Sequence, residues 1–140
     1  MTKQKTITVQ AVINKPADRV WKLYTEAEHI SKWNNASEDW HTPKAENDLR
    51  VGGKFLSRME AKDGSAGFDF EGTYDEVKTN ELIKYTMSDG RKVEVVFADA
   101  DGKIKVSVRF DTERENPVEF QKAGWQAILD NFKNYVEKNG

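Results

Sequence analysis

Cysteine is absent from the 140 residues. Disulfides, thiolate metal sites and thiol nucleophiles are therefore excluded. Long apolar runs are absent as well. No stretch approaches the ~20 residues that a spanning helix needs, and the opening MTKQKTITVQ lacks the apolar core of a signal peptide. A soluble, cytoplasmic protein is the expectation. Neither sign of charge prevails: Lys and Arg number 22, Asp and Glu 24, for a formal net charge of −2. That balance gives no basic face for nucleic acid and no cationic stretch for a membrane surface. Glycine-rich phosphate loops are missing, both the dinucleotide fingerprint and the P-loop. The only two histidines, His29 and His41, form no helical pair and read as ordinary surface. Accordingly, neither a cofactor nor a metal is indicated.

Two acidic patterns reduce to structure. Asp99-Ala100-Asp101-Gly102 has the start of a calcium loop, but the further ligands and the terminal Glu do not follow. It reads as a hairpin turn. Asp69, Glu71 and Asp75 alternate on one strand face, which the pattern assigns to solvent rather than to acid–base work.

What the chain does contain is enough apolar material for a core. Hydrophobic residues make up 37% and include four Trp, and the length suits one domain over residues 1–140. Thr6 to Ile13 alternates as a half-buried strand, with Ile7, Val9, Ala11 and Ile13 on one face. Pro16 suits the first position of a helix whose apolar side is Val20, Trp21, Leu23 and Tyr24. Thr25-Glu26-Ala27-Glu28 has the form of a capping box and predicts a second short helix. Its buried stripe is Ala27, Ile30 and Trp33, and Asn34 and Asn35 end it. Residues 36–48 read as polar and irregular. The Gly52-Gly53 pair then predicts a bend or bulge.

Five alternating segments follow, with inner faces Phe55/Ser57/Met59/Ala61, Phe68/Phe70/Gly72/Tyr74, Ile83/Tyr85/Met87, Val93/Val95/Phe97 and Ile104/Val106/Val108/Phe110. Their connectors, Lys62-Asp63-Gly64, Lys78-Thr79-Asn80, Asp89-Gly90 and Asp101-Gly102, are turn sequences short enough to require antiparallel neighbours. Asn116-Pro117-Val118-Glu119 opens a long helix running to about Lys138, Asn116 being the expected cap. Its apolar arc takes in Phe120, Ala123, Gly124, Trp125, Ala127, Ile128, Leu129, Phe132, Tyr135 and Val136. The expected fold class is α+β, a curved antiparallel sheet with the long C-terminal helix across its concave face.

A mismatch of size is the most informative feature. The first half of the long helix offers Ala123, Gly124 and Ala127, whereas the sheet offers large rings and thioethers. Glycine inside a helix costs about 1 kcal/mol relative to alanine and calls for a packing reason. Either the rings fill the space above the small residues, or an apolar cavity is left there. Gln121 falls within the apolar arc, and a buried amide needs partners. Trp33 and Trp40 bracket an Asn- and acid-rich stretch. That stretch is either a lid over a cavity mouth or plain local packing.

Four motifs in order carry a resemblance: Pro16-Ala17-Asp18-Arg19-Val20-Trp21 with Trp33 closing the second helix, Asp48-Leu49-Arg50-Val51-Gly52-Gly53-Lys54-Phe55, Phe70-Glu71-Gly72-Thr73-Tyr74-Asp75-Glu76-Val77, and Gly124-Trp125 followed by Ile128-Leu129 and Phe132. Over nearly its whole length the chain resembles the START-like (SRPBCC, helix-grip) superfamily. Within it, the chain is similar to the family named for the C-terminal domain of the activator of the 90-kDa heat-shock-protein ATPase. The resemblance implies the helix-grip order β-α-α-β-β-β-β-β-β-α, and a cavity for an apolar ligand between sheet and long helix. It supplies no shared catalytic set, and Asp48, Arg50, Gly52 and Gly53 read as structural. The cochaperone carries an N-terminal domain without counterpart in these residues, so stimulation of a chaperone ATPase is not expected.

Two functions of different class follow. The first is binding of a small apolar or aromatic molecule, with Trp33, Phe55, Met59, Phe70, Tyr74, Tyr85, Gln121, Gly124 and Trp125 near it. An enzymatic variant of it, of cyclase or hydratase type, has no residue to name as acid or base. The second is a protein-interaction module related to the chaperone activator, using its outer strands or the Trp40 loop.

Overall fold

The computed structural model describes residues 6–35, 38–112 and 117–139. Strand β1 (Thr6–Ile13) is followed by helices α1 (Ala17–Thr25) and α2 (Ala27–Trp33). Strands β2 (Trp40–Asn47), β3 (Lys54–Ala61), β4 (Gly67–Lys78), β5 (Leu82–Met87), β6 (Lys92–Ala100) and β7 (Lys103–Asp111) come next, and α3 (Val118–Asn139) ends the chain. The strands form one antiparallel sheet in the order β1-β7-β6-β5-β4-β3-β2. This is the helix-grip fold.

Alternation in the sequence becomes alternation in burial. Phe55, Ser57, Met59 and Ala61 of β3 are buried while their neighbours are not, and Ile83, Tyr85 and Met87 of β5 behave alike. The turns are of the kinds the sequence signalled. Asp101 and Gly102 both have positive φ, 53° and 83°, as a tight two-residue hairpin requires. The Asp-Ala-Asp-Gly segment is therefore a hairpin, and Asp69, Glu71 and Asp75 are exposed.

The alternation missed one strand. Residues 40–47 form β2 rather than an irregular segment. The strand is an edge strand, and its register with β3 shifts between His41 and Lys44. Pro43 falls inside that irregularity, where its missing N–H is tolerated. An edge strand carrying a proline and mostly polar side chains has little periodicity to read.

Local capping differs as well. Thr25 does not cap α2: its hydroxyl donates back to the Trp21 carbonyl at 2.8 Å, and Glu26 holds the cap position without a side-chain bond. Pro16 is the residue before α1 rather than its first. Asn34 does close α2. The expected cap at Asn116 lies outside the described residues.

The grip of α3 is one-sided. Its close backbone approach to the sheet is at β1, and its other close neighbours are α1 and α2. Gln126 donates to the Gln10 carbonyl at 3.0 Å, and Glu137 accepts from the Asn14 N–H at 3.1 Å. Leu129, Phe132 and Val136 are fully buried under this half, with Phe132 edge-on to Trp33 and Tyr24 at 4.8 and 5.0 Å between ring centroids. Two of the predicted arc residues point elsewhere: Ala123 is exposed, and Phe120 is 67% exposed. The buried stripe is centred on Gln121, Leu129, Phe132 and Val136, so the helix is rotated from the expected arc.

In β4, between β3 and β5, the sheet itself demands glycine. A Cβ at Gly72 would lie 2.6 Å from the Thr86 carbonyl oxygen and 2.8 Å from the Phe55 ring. Gly72→Ala is expected to destabilise the protein by roughly 1–3 kcal/mol, the usual cost of overpacking. A lowered urea midpoint with unchanged slope checks this.

Candidate functional site

The other half of α3 stands over β3, β4 and β5, with Trp125 reaching Phe70 of β4. Between them lies a cavity of about 680 Å³, within the range of small-molecule sites, roughly 300–1,000 Å³. All nine residues that the sequence singled out border it: Trp33, Phe55, Met59, Phe70, Tyr74, Tyr85, Gln121, Gly124 and Trp125. Sequence reasoning missed several others. Tyr24, Met87 and Ile128 read as members of apolar faces, Glu46 as part of the irregular segment 36–48, and Arg91 carries no signal of its own, yet all border the cavity.

The position of Gly124 decides between the two packings left open by the sequence. A Cβ built there meets nothing within 4 Å, so no ring from the sheet has moved in to fill the space beside it. Trp125 marks the boundary between the filled and the hollow parts. Its indole stacks on Phe110 of β7 at 4.3 Å and 10° on one side, and meets Phe70 of β4 edge-on at 6.0 Å on the other. The floor is a cluster of rings. Phe55 packs edge-on against Tyr85 at 4.7 Å and lies beside Phe70 and Tyr74 at 5.6 and 5.4 Å. Phe68, on the predicted inner face, is 47% exposed, with Trp40 at 6.0 Å; both border the cavity, as does the exposed Phe120. The stretch predicted as a lid includes residues 36 and 37, which lie outside the described residues.

A chain of side-chain bonds holds the walls together. Asn47 of β2 donates to the Thr25 carbonyl at the end of α1 and accepts from the Tyr74 hydroxyl of β4. Trp33 donates its indole N–H to the Leu23 carbonyl at 2.9 Å, and Asn131 of α3 donates to the Trp33 carbonyl at 2.9 Å. The Asp48–Gly53 loop is anchored to the same wall: the Gly52 N–H bonds the Tyr74 carbonyl, and the Tyr74 N–H bonds the Gly53 carbonyl, both at 2.9 Å. Gly52 has φ +84°, and a Cβ on Gly53 would collide with the Asp48 carbonyl, so the pair is structural. The Arg50–Asp48 ion pair at 2.9 Å is exposed and adds little to stability.

Three tyrosines face this space, and burial raises the pKa of each. For Tyr24 and Tyr85 desolvation is the leading cause; for Tyr74 desolvation outweighs the bond to Asn47, which acts the other way. All three stay neutral phenols across the ordinary pH range. His29 lies away from the cavity. It is not plain surface: it is partly buried, with Nδ1 2.7 Å from the Tyr135 hydroxyl and Nε2 3.7 and 3.8 Å from Glu26 and Glu28. Among the described residues this is the one grouping with three candidate metal ligands, and carboxylates at a solvent edge beside a histidine are common without a metal. Among the described residues no helix is long and apolar enough to cross a membrane.

Comparison with known proteins agrees with this architecture. The family model described as Activator of Hsp90 ATPase homolog 1-like protein matches residues 14–137. The chain belongs to that family. An AHSA1-like protein of Aeromonas hydrophila, solved in solution, is 46% identical with a TM-score of 0.91, over 97% of this chain and 94% of that one. A protein of Cytophaga hutchinsonii is 51% identical with a TM-score of 0.83, over 96% and 93%. A protein of Chromobacterium violaceum, a crystal structure, is 26% identical with a TM-score of 0.85, over 95% and 98%. No curated protein matches the chain.

Two predictions follow from this geometry. Gly124→Ala meets no steric obstacle and removes the helical penalty of glycine, so it is expected to stabilise the protein by up to about 1 kcal/mol. Chemical denaturation reads that gain. The tyrosines set an alkaline limit. Their folded pKa values are raised above the ordinary value of 10.0, so above pH 10 the unfolded chain loses protons that the folded chain keeps. Stability is therefore unaffected by these groups below the ordinary value and falls as pH rises past it. Urea midpoints measured across that window should fall less steeply in a variant carrying Tyr24→Phe and Tyr85→Phe.

Proposed function

We propose that this protein binds a small apolar or aromatic molecule in the cavity between β3–β5 and the first half of α3. The observation that carries the reading is the open space beside Gly124, facing a floor of aromatic rings across a cavity of about 680 Å³. Burial of apolar surface supplies the affinity, at about 25 cal/mol per Å² removed from water. The few polar groups at the wall set orientation. Among the described residues the one carboxylate that borders the cavity, Glu46, lies beside Lys44, which favours binding over catalysis.

Gly124→Leu tests the reading. The new side chain enters the space that the ligand needs, while the helix keeps its form. Binding of isopropenylnaphthalene, followed by NMR titration of backbone amides, is expected to weaken at least about tenfold, a loss of about 1.4 kcal/mol. Unchanged binding in a folded Gly124→Leu protein would show that the ligand lies elsewhere. Native mass spectrometry of freshly purified protein provides a second readout, through any co-purified small molecule.

A second reading has one observation in its favour. The family is described by its relation to the Hsp90 ATPase activator, and the cavity rim exposes Phe68 and Phe120, rings of the kind that anchor protein interfaces. On that reading the rim docks on the chaperone. Capture of purified Hsp90, abolished by Phe120→Ser, would favour it over small-molecule binding.

A further inference from the structure

The cavity reading leaves open what kind of molecule fits, and two hydroxyl groups bear on this. Among the described residues, no protein group hydrogen-bonds the hydroxyls of Tyr24 and Tyr85, although both side chains border the cavity. Tyr85 is only 7% exposed. Among the described residues, every side-chain nitrogen or oxygen that is sealed from solvent has a partner. The two phenolic oxygens therefore keep access to the cavity space. Tyr74 differs: its hydroxyl proton is committed to Asn47, which leaves it only as an acceptor. Tyr85 packs edge-on to Tyr74 at 6.2 Å between ring centroids, and Tyr24 borders the same cavity. Two O–H donors thus face the cavity from a wall made mainly of rings and aliphatic groups, with Thr25, Asn34, Glu46, Ser57, Arg91 and Gln121 as its other polar members. A hydroxyl kept from water without a partner is costly, so each donor favours a ligand atom able to accept from it.

The charges around the cavity narrow the choice. Among the described residues two charged side chains border the cavity, Arg91 and Glu46. Arg91 Nε is bonded to the Asp89 carboxylate at 2.7 Å, and Glu46 lies 3.8 Å from Lys44 Nζ. Both charges are already balanced. A ligand carrying net charge would enter apolar surroundings without a counter-ion, which is strongly unfavourable. Burial also holds the phenols in their protonated, donating form.

We propose that Tyr24 and Tyr85 form a donor pair that selects an uncharged aromatic or apolar ligand bearing a hydrogen-bond acceptor, most simply a carbonyl oxygen. This rests on the cavity reading above and specifies its ligand class. A site built to donate discriminates strongly against an isostere that cannot accept.

The test uses four probes of one shape: naphthyl methyl ketone, isopropenylnaphthalene in which a methylene replaces the carbonyl oxygen, naphthoate, and naphthylmethylamine. Their affinities are measured by NMR titration on the wild-type chain, on Tyr24→Phe, on Tyr85→Phe and on the double variant. Each substitution removes one oxygen atom and keeps the ring. The ratio of ketone to alkene affinity is expected to fall by at least about tenfold from wild type to double variant, one hydrogen bond being worth about that factor, with each single variant between. The two charged probes are expected to bind more weakly than the ketone. An unchanged ratio, or tighter binding of either charged probe than of the ketone, overturns the donor-pair assignment and leaves the cavity reading standing. Failure of all four probes to bind overturns both.

Discussion

A single α-helix cannot cover a seven-stranded sheet. Seven strands at a spacing of about 4.8 Å span roughly 29 Å, whereas a helix with its side chains is about 10–12 Å across. In this fold α3 settles at β1, and α1 and α2 close over its C-terminal half. The strands at the other end of the sheet, β3 to β5, lie beyond its close reach. The curvature of the sheet brings their rings round to face the helix, and the choice of side chain on the helix then decides whether the gap is filled. Gly124 leaves it open.

The same division explains how a hollow protein stays folded. Stability is concentrated where α3, α1, β1, β6 and β7 meet, around Ile13, Val20, Val95, Val106, Phe110, Phe132 and Val136, all essentially without solvent exposure. The cavity wall is held by hydrogen bonds instead: Asn47 joins α1, β2 and β4, and Asn131 joins α3 to the end of α2. Trp125 belongs to both regions, stacked on Phe110 and edge-on to Phe70. The floor of the cavity is continuous with the core: Phe55, Ile83, Tyr85 and Leu129 belong to both.

Much of this was legible in the residues. Period-two alternation located β1 and β3–β7 and turn chemistry set their antiparallel order, whereas the small residues of the last helix left a packed core and a cavity both open. The nine residues singled out beforehand all border the cavity. What was not legible has physical reasons. Strand β2 has a proline and an irregular register at a sheet edge, so its sequence lacks a period. Ala123 faces solvent because the helix is rotated toward Gln121 and Leu129, and small residues give no signal of facing. Phe120 is exposed at the rim, where hydrophobicity misleads about burial. Tyr24 was readable as apolar but not as a cavity hydroxyl, since that depends on how α1 packs against β6 and α3, contacts between distant parts of the chain.

The central claim is physical: an apolar space beside Gly124 that side chains do not fill. Xenon enters such spaces and is located directly by its scattering. A crystal pressurised with xenon should show the gas between Gly124 of α3 and the Phe55–Phe70–Tyr85 rings. Absence of xenon there, with those rings packed against the helix backbone at Gly124, would contradict the account.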